Sequence, residues 1–225
     1  MSNTLRVGMF LICSSTLLAE SEAERITAAT QVLKEMTGEK DKGIPTDLFA
    51  KSYCAVVIPS MKRAGFIISG KYGRGFASCR KEGGGWTAPT AMSVEGGGVG
   101  LQVGGEGVDI VMLVMSEKGM KGILESKFTL GGDASVAAGP MGRDTEAQTD
   151  ATMHADILSW SRSRGVFGGV ALTGGTLHED KDGNKEIYGQ AEKSSEILTG
   201  NVKPTSVSEG FLDKLTEVGG SERKK

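Results

Sequence analysis

The chain has 225 residues, enough for one domain that buries its own core. Its formal net charge of −2 provides no strong overall field for a polyanion, which argues against nucleic acid as a partner. Glycine supplies 34 residues, about twice the usual share, without the repeat of collagen. Because glycine pairs alternate with β-branched stretches, the composition predicts a twisted, tightly turning β structure.

The first 23 residues are typical of an export signal. A short positive start, MSNTLR, precedes the apolar stretch VGMFLICSSTLLA, and the small residues of SEA, which end at Ala23, suit a cleavage site. The apolar stretch is too short to span a membrane comfortably, and a buried N-terminal helix is the alternative. We therefore expect a periplasmic or secreted protein, with a peripheral location on a membrane as a further option.

The cysteines bear on this expectation. Export would place Cys54 and Cys79 in an oxidising compartment, where a disulfide between them and two buried thiols are both compatible with the sequence. Cys13 lies within the export signal, and the stretch FLIC lacks the small residue expected before a lipidated cysteine.

Two short helices are predicted next. In RITAATQVLKEMT, residues 25–37, apolar residues recur at helical spacing, and Gly38 is expected to close the helix. The stretch IPTDLFAKSY predicts a second helix, with Pro45 near its start and Thr46 or Asp47 as its cap.

A series of short strands is predicted after these helices. The candidates are CAVVIP, GFIIS, GFASC, AMSV, GVGLQVG and VDIVMLVM. Pro59 is expected to end the first strand, and Gly65 and Gly70 are expected to mark bends where strands meet loops.

The second half of the chain mixes helix and strand patterns. EKGMKGILES predicts a short helix, and TDATMHADILSWSRS fits a helix or a strand. GVFGGVALTGG and EIYG flank HEDKDGN, in which Asp182-Gly183 suits a hairpin turn. After Gly200 the chain is polar and predicts a short helix and a frayed tail.

No repeat or linker divides the chain. We therefore expect one α+β domain over residues 24–205, followed by a polar C-terminal segment, residues 206–225. Its core is predicted to be a glycine-rich, mainly antiparallel sheet or a barrel-like sheet, with short N-terminal and peripheral helices.

Nucleotide binding is not supported. GFIISGKY, residues 65–72, has the glycine and lysine spacing of a P-loop, but Tyr72 stands where a small hydroxyl must meet the metal. Its interior is apolar and β-branched, which suits a strand better than a phosphate cradle.

Catalytic and metal motifs are equally sparse. His154 and His178 have no partner histidine at metal spacing, and DKDGNKE departs from the calcium loop of an EF-hand. Asp133, after a glycine pair, is expected to be a buried carboxylate that caps backbone amides. We predict a protein that is not an enzyme and has no cofactor and no metal, with a hydrolase using His154 or Asp133 as an alternative.

The stretch between Asp47 and Glu82 contains seven basic residues and no acidic residue. Its basic residues are Lys51, Lys62, Arg63, Lys71, Arg74, Arg80 and Lys81. At strand ends and turns such side chains can converge on an anion. Few aromatic residues interleave for nucleic acid stacking, whereas anionic lipid headgroups fit, at about 1 kcal/mol per basic residue near the surface. A scattered solvated face is the alternative.

Several blocks of the sequence resemble, in order, the hallmarks of the SYLF domain. They are KRAGFIISGKYGRG, GGWTAPTAMSVEGGGVGLQVGGEGVDIVMLVM, FTLGGDASVAAGPMGR, ADILSWSRSRGVFGGVALTGG and NKEIYG. The resemblance runs from about Ile26 to Pro204. That family includes bacterial secreted or lipoprotein members and eukaryotic lipid- and actin-binding proteins of the endocytic machinery.

The resemblance implies a module that binds phosphoinositides and other anionic headgroups, assisted by an N-terminal amphipathic helix. The expected lipid-binding residues are Lys62, Arg63, Lys71 and Arg74 from the family block, Arg80 and Lys81 from the same basic run, and Ile26, Leu33 and Met36 on the helix. Outside a bacterial cytoplasm phosphoinositides are generally absent, so a bacterial anionic phospholipid or another amphiphile is the expected ligand. The alternative is an envelope or surface scaffold that binds a protein and no lipid.

Overall fold

The computed structural model describes residues 20–38, 43–64, 68–99, 107–142, 154–163, 166–170 and 172–224. Within its strands, the side chains of residues 63, 64, 68, 69, 98 and 99 are outside this description. Most of the predicted export signal, residues 1–19, and most of the predicted strand GVGLQVG also lie outside it.

The helices of the described residues are α1 (Glu22–Gly38), α2 (Thr46–Lys51), α3 (Glu117–Ile123), α4 (Lys181–Tyr188), α5 (Ser194–Leu198) and α6 (Glu209–Gly219), with a 3₁₀ turn at Ser206–Ser208. The helices predicted at residues 25–37, in IPTDLFAKSY and in EKGMKGILES are confirmed as α1, α2 and α3. Pro45 occupies the N-cap position of α2 without a side-chain hydrogen bond, so the predicted capping by Thr46 or Asp47 is wrong.

The strands are β1 (Cys54–Ala64), β2 (Ile68–Cys79), β3 (Thr90–Val99), β4 (Gly107–Val114), β5 (Lys127–Thr129), β6 (Val136–Ala138), β7 (Ile157–Ser163), β8 (Val166–Gly169) and β9 (Gly175–Glu179). They form one sheet in the order β5-β9-β3-β2-β1-β4-β7-β6, with β8 also paired to β7. The β6–β7 pairing is parallel and the other pairings are antiparallel. This sheet curls into a half barrel, which confirms the predicted α+β class with a barrel-like core.

Two predicted strand boundaries are wrong. β1 continues through Pro59, because a bulge absorbs the proline: the register shifts there against both neighbouring strands, and Ser60 adopts a positive φ of 49°. The predicted strands GFIIS and GFASC share one continuous β2, so Gly70 marks no bend. The glycines of β2 serve close approach instead: a Cβ on Gly75 would lie 2.0 Å from the carbonyl oxygen of Val57.

The hairpin predicted at Asp182-Gly183 is also wrong. That stretch opens α4, where the side chain of Asp180 caps the helix by accepting from the amide of Gly183, with 3.0 Å between the oxygen and the nitrogen. Gly189 ends α4 in the left-handed conformation, with φ of 73°. The ambiguous stretch before Arg164 resolves as the strand β7.

The sheet has an apolar core on each face, because strand side chains alternate between faces. One core contains Val57, Phe76 and Trp160 and is covered by α1, α2 and α6. The other contains Ile58, Met112 and further side chains of the sheet and is covered by α3 and the region around β5. The C-terminal segment contributes to the first core through Phe211, Leu215 and Val218 of α6, all buried.

A disulfide joins Cys54 at the start of β1 to Cys79 at the end of β2, which are directly paired across the two strands. Both cysteines are buried in the second core. Among the helices that the structure describes, none has the length and apolar character needed to cross a bilayer.

Candidate functional site

The basic residues of the run 51–81 do not form one patch. β2 is extended from Ile68 to Cys79, and Lys71 and Arg80 stand nine residues apart along this direction. At roughly 3.3 Å per residue, these two positions are separated by about 30 Å. The cluster is therefore divided between the two ends of the β1–β2 pair.

One end, which we call the basic tip, consists of Lys62, Arg63, Lys71 and Tyr72. The register pairs Lys62 with Tyr72 and Arg63 with Lys71 directly across the two strands. Lys62 is exposed, and Tyr72 is 48% exposed. Lys71 is half-buried, and its ammonium donates to the carbonyl oxygen of Thr173 over 3.0 Å.

The register brings like charges to directly paired positions at the basic tip. Like charges that face each other directly across two strands repel, and Arg63 and Lys71 occupy such positions. On the far side of β2, the exposed Glu95 of β3 pairs with Tyr72 and supplies a negative charge on the neighbouring strand. The tip nevertheless concentrates three cations on two adjacent strand ends.

Arg74, by contrast, belongs to an internal ion-pair network. Its guanidinium lies 2.8 Å from a carboxylate oxygen of Glu22 and 2.5 Å from one of Asp180. Burial lowers the pKa of Arg74, but the hydrogen bond that Arg74 donates to Asp180 and the charge of Glu22 outweigh this effect, and the net pKa is raised. Arg25 forms a further short ion pair with Glu22, which is almost fully buried.

A cavity of about 480 Å³ adjoins Arg74. Its lining consists of Tyr72, Arg74, Ser93, Glu179, Asp180, Lys181 and Asp182. Three carboxylates outnumber two cations there, so the cavity is poorly suited to an anionic headgroup. Arg74 therefore braces α1 and α4 against the sheet and does not add a free positive charge to the basic tip.

The opposite end of the β1–β2 pair, which we call the tail end, holds Lys51, Arg80 and Lys81 beside the C-terminal residues. The guanidinium of Arg80 lies 3.1 Å from the carbonyl oxygen of Phe49 and 2.7 Å from that of Gly219, and it also donates to Gly220. It stacks on Trp86, 4.1 Å from the ring centroid. Arg80 thus satisfies the last carbonyls of α6.

Burial, together with the nearby positive charge of Arg223, lowers the pKa of Arg80 to about 10. Arg223 itself stacks on Tyr53, 3.9 Å from the ring centroid. Lys51 and Lys81 are exposed. Of the tail-end cations, Arg80 is therefore committed to structure, whereas the two lysines face solvent.

The apolar residues expected to insert into a bilayer are not on the surface. Ile26, Leu33 and Met36 are 2%, 0% and 0% exposed and pack in the first core. Ion pairs fix α1 at both ends: Glu22 meets Arg74, and Glu35 meets Arg162, which also contacts Asp109 at 2.7 Å. In this conformation α1 presents no apolar face to a membrane.

The remaining sequence candidates lie apart from one another. His154 is exposed and His178 is half-buried in β9. Asp133 accepts from the amide of Thr129 over 2.6 Å, so it caps backbone as predicted, but it is exposed and the predicted burial is wrong. Within the described ranges, no group of histidine, cysteine and acidic side chains is arranged to hold a metal ion.

Sequence reasoning missed the carboxylate partners of Arg74 and the exposure of Tyr72 and Val166. Asp180 is 106 residues from Arg74 in sequence, so no local pattern joins them. Val166 at the start of β8 is 75% exposed, and only its place in the folded sheet reveals this exposure.

Comparison with known proteins identifies relatives over most of the chain. A family model described as Ysc84, Las17-binding protein actin regulator, matches residues 95–218. The chain is 35% identical over 199 residues to SH3 domain-containing YSC84-like protein 1 of Xenopus laevis, covering 84% of this chain and 59% of that protein. It is 32% identical over 204 residues to the human protein of the same name, covering 88% and 59%.

A yeast relative, LAS seventeen-binding protein 3 of Saccharomyces cerevisiae strain S288c, is 35% identical over 167 residues, which cover 73% of this chain and 36% of that protein. The chain thus matches 59% of the length of the human and frog relatives. The name of the yeast relative describes a binding protein.

Proposed function

Because the chain belongs to the Ysc84 family of SYLF-domain proteins, we propose that it binds anionic phospholipid headgroups through the basic tip, without a catalytic step. The observation that carries the proposal is the direct pairing of Arg63 with Lys71. Cations at directly paired positions can bind one phosphate together, through charge-assisted hydrogen bonds from both residues.

The proposed headgroup site contains fewer basic residues than the sequence predicted. Lys62, Arg63 and Lys71 remain as headgroup residues, because they share one end of the sheet. Arg74 is neutralised by Glu22 and Asp180. Arg80 and Lys81 lie at the tail end, so a bilayer that meets the basic tip would not reach them.

Vesicle co-sedimentation of the purified full chain tests this function. The double variant Lys62→Gln/Lys71→Gln should bind anionic vesicles about 30-fold more weakly than the unaltered chain, since each basic residue near the surface contributes about 1 kcal/mol. Lys51→Gln/Lys81→Gln is the matched control, because it removes the same two charges from exposed sites at the tail end. Added salt should weaken binding of the unaltered chain.

Equal binding by the unaltered chain and the double variant would refute the headgroup role of the basic tip. Equal weakening by Lys51→Gln/Lys81→Gln would show that total charge, and not the tip, governs binding. Absence of binding to any anionic vesicle would overturn the proposal as a whole.

A second candidate function is protein binding without a lipid ligand. The description of the matching family as Las17-binding favours it, although that name is said of the family's relatives. A protein ligand predicts a partner captured from the envelope fraction by the unaltered chain and by Lys81→Gln, with no vesicle binding. Capture that the tip variant abolishes would place the partner at the same surface.

We further propose that the chain is exported. The apolar N-terminal stretch and the Cys54–Cys79 disulfide support this location, since disulfides persist in oxidising compartments. Cleavage after Ala23 would remove the buried Glu22 and leave Arg25 and Arg74 without it. Mass spectrometry of the N-terminus and thiols of the protein recovered from fractionated cells tests location and cut site; an intact N-terminus in the cytoplasm would refute export.

A further inference from the structure

The cavity of about 480 Å³ beside Arg74, which we call the acidic cavity, lies on one face of the sheet. Residues two apart in a strand share a face, and so do directly paired residues of neighbouring strands. Tyr72 and Arg74 therefore share the face of Phe76, a residue of the first core. Ser93 pairs with Arg74 and lies on the same face. The acidic cavity is thus enclosed between this face and the start of α4, which contributes Asp182.

The acidic cavity extends from Tyr72 away from the lysine of β1. In the sheet order β9-β3-β2-β1, its lining residues Ser93 and Glu179 belong to β3 and β9. Lys62 belongs to β1, on the other side of Tyr72. Glu95, which pairs with Tyr72 on β3, is exposed and places a further carboxylate on the side of the cavity. A cation in the cavity would therefore be separated from Lys62 by the tyrosine.

The carboxylates of the acidic cavity are not all used by the protein itself. Both oxygens of Asp180 accept hydrogen bonds, one from Arg74 and one from an amide of α4. Glu179 accepts from the amide of Ser194 over 2.6 Å through one oxygen. Asp182 is exposed, and no ion pair of the described residues involves it. The cavity therefore has carboxylate oxygens available for a ligand.

Glu22 provides a second sign of unsatisfied negative charge at this corner. It meets Arg74, is 2% exposed, and has one carboxylate oxygen without a hydrogen-bond partner among the described residues. Its carboxyl carbon and that of Asp180 each lie 3.2 Å from the position that a Cβ on Gly183 would take. A buried carboxylate thus adjoins the start of α4, and Lys181 is the cation of the cavity lining that opposes it. The local charge favours a cationic ligand.

The ring of Tyr72 indicates which cation fits. Two other aromatic rings of the chain are stacked by guanidinium groups: Arg223 lies 3.9 Å from the ring centroid of Tyr53, and Arg80 lies 4.1 Å from that of Trp86. Tyr72 is 48% exposed, and no such contact of the described residues covers it. A guanidinium stacks on aromatic rings and binds carboxylates through a planar fork, whereas an ammonium is a strongly hydrated point charge. An exposed ring beside available carboxylates therefore favours arginine.

A second cavity, of about 430 Å³, adjoins the acidic cavity, because Glu179 and Lys181 line both. Leu124 and Ala191 give it apolar surface. Two adjoining cavities, one acidic and aromatic and one partly apolar, suit a chain segment with two side chains better than a single small cation.

We propose that the groove formed by these two cavities binds a protein segment, with an arginine side chain in the acidic cavity and an apolar side chain against Leu124 and Ala191. The guanidinium would stack on Tyr72 and meet the carboxylate of Asp182. This site needs no lipid ligand. It rests on the second candidate function, protein binding, and gives that function a surface and a partner chemistry.

Fluorescence anisotropy of labelled peptides tests the groove on the full chain. The probes are fluorescein-labelled glycine peptides that carry one arginine and one leucine, separated by zero to three glycines. In the control peptides, citrulline replaces arginine and removes the charge at nearly the same shape. We expect saturable binding of at least one arginine peptide and none of its citrulline counterpart. Replacing leucine by glycine in that peptide should weaken binding about threefold, because apolar burial is lost.

Variants of the chain place the binding in the groove. Tyr72→Thr/Asp182→Asn should bind the arginine peptide about tenfold more weakly, since a cation–π contact and an ion pair are both lost. Threonine preserves the strand preference of β2. Glu117→Gln is the matched control, because it removes a carboxylate from the first turn of α3, as Asp182→Asn does from the first turn of α4. Thermal unfolding verifies that each variant is folded.

The outcomes separate this inference from the functions proposed above. Failure of every arginine peptide to bind saturably, equal binding of the citrulline peptides, or unchanged binding by the double variant would overturn the groove. Displacement of the peptide by neutral phosphatidylcholine vesicles would overturn the protein ligand and assign the cavity to a lipid ammonium group. A partner captured equally by the unaltered chain and the double variant would leave protein binding standing at another surface. A chain that binds the arginine peptide but no anionic vesicle would keep the groove and lose headgroup binding.

Discussion

The two ends of the β1–β2 pair carry the same kind of residue and use it differently. At the tail end, Arg80 donates to three backbone carbonyls and stacks on Trp86. At the basic tip, Lys62 is exposed, and Arg63 faces Lys71 across the strands. The arginine of the tail end is therefore held by the protein, whereas the basic tip places Lys62, Arg63 and Lys71 on two adjacent paired strands, an arrangement that can gather positive charge at a binding surface.

The largest effect that tests this contrast between the two ends is expected at Arg74. This residue lies next to the basic tip in sequence, but its ion pairs hold α1 and α4 against the sheet. Arg74→Gln should lower the free energy of unfolding by about 3 kcal/mol, since it removes a partner of the buried Glu22. Urea unfolding measures the loss. At a temperature where the variant is folded, its vesicle binding should match the unaltered chain; strong loss of binding without loss of stability would return Arg74 to the headgroup site.

The disulfide should make a comparable contribution at the tail end. Reduction of Cys54–Cys79 releases a loop with a sequence separation of 25 and should lower the free energy of unfolding by about 3 kcal/mol. Guanidinium unfolding with and without reductant measures the difference. A Cys54→Ala/Cys79→Ala variant should show no response to reductant, and a reductant effect in that variant would trace the change to another cause.

The role of Arg80 predicts a stability loss without a binding loss. Arg80→Gln leaves the carbonyl oxygens of Gly219 and Gly220 short of donors and should lower the free energy of unfolding by about 2 kcal/mol. Lys81→Gln, its exposed neighbour, should change stability by less than about 0.5 kcal/mol. Urea titration of the pair provides the comparison, and equal stability of the two variants would contradict a structural Arg80.

Much of this architecture could be predicted from local pattern. The helical spacing of residues 25–37 gives α1, and the apolar stretch VDIVMLVM gives β4. Such elements bury one face or both, so hydrophobic periodicity reports them. The α+β class and the SYLF resemblance are confirmed for the same reason: they depend on blocks of contiguous sequence.

The wrong sequence predictions, at the Asp-Gly turn, at Pro59 and for the basic run, have a different cause. The Asp-Gly of HEDKDGN suits a hairpin and a helix start alike, and only the capping of Gly183 by Asp180 decides between them. Pro59 ends a regular strand, but a bulge at Ser60, whose amide donates to Asp109, lets β1 continue. The split of the basic run followed from the same continuity of β1 and β2, which no local signal reveals.

A smaller loss of stability is expected at acidic pH from Asp156, which precedes β7 at the tail end. Burial alone would raise the pKa of Asp156, but hydrogen bonds from Ser116 and Ser135 outweigh this effect and hold the pKa below its ordinary value. A carboxylate with a depressed folded-state pKa contributes stability above its unfolded pKa and loses it as the pH falls through the folded value.

Urea midpoints between neutral and acidic pH measure this contribution. The stability advantage of the unaltered chain over Asp156→Asn should be largest near neutrality and should shrink as the pH falls below about 4. Asp133→Asn is a useful control, since Asp133 is an exposed carboxylate that accepts a hydrogen bond from the backbone amide of Thr129. A constant difference across the pH range would mean that the charge of Asp156 is not what stabilises this corner.

The smallest predicted effect addresses the basic tip most directly. Arg63→Gln removes one member of the like-charge pair with Lys71 and should raise the free energy of unfolding by about 0.5 kcal/mol, while it weakens binding to anionic vesicles about fivefold. Salt should erase the stability gain, because it screens the repulsion in the unaltered chain. Urea and vesicle titrations at low and high salt measure the gain in stability and the loss of binding. If the variant is less stable than the unaltered chain at low salt, Arg63 contributes to the fold as Arg80 does, and the contrast between the two ends loses its basis.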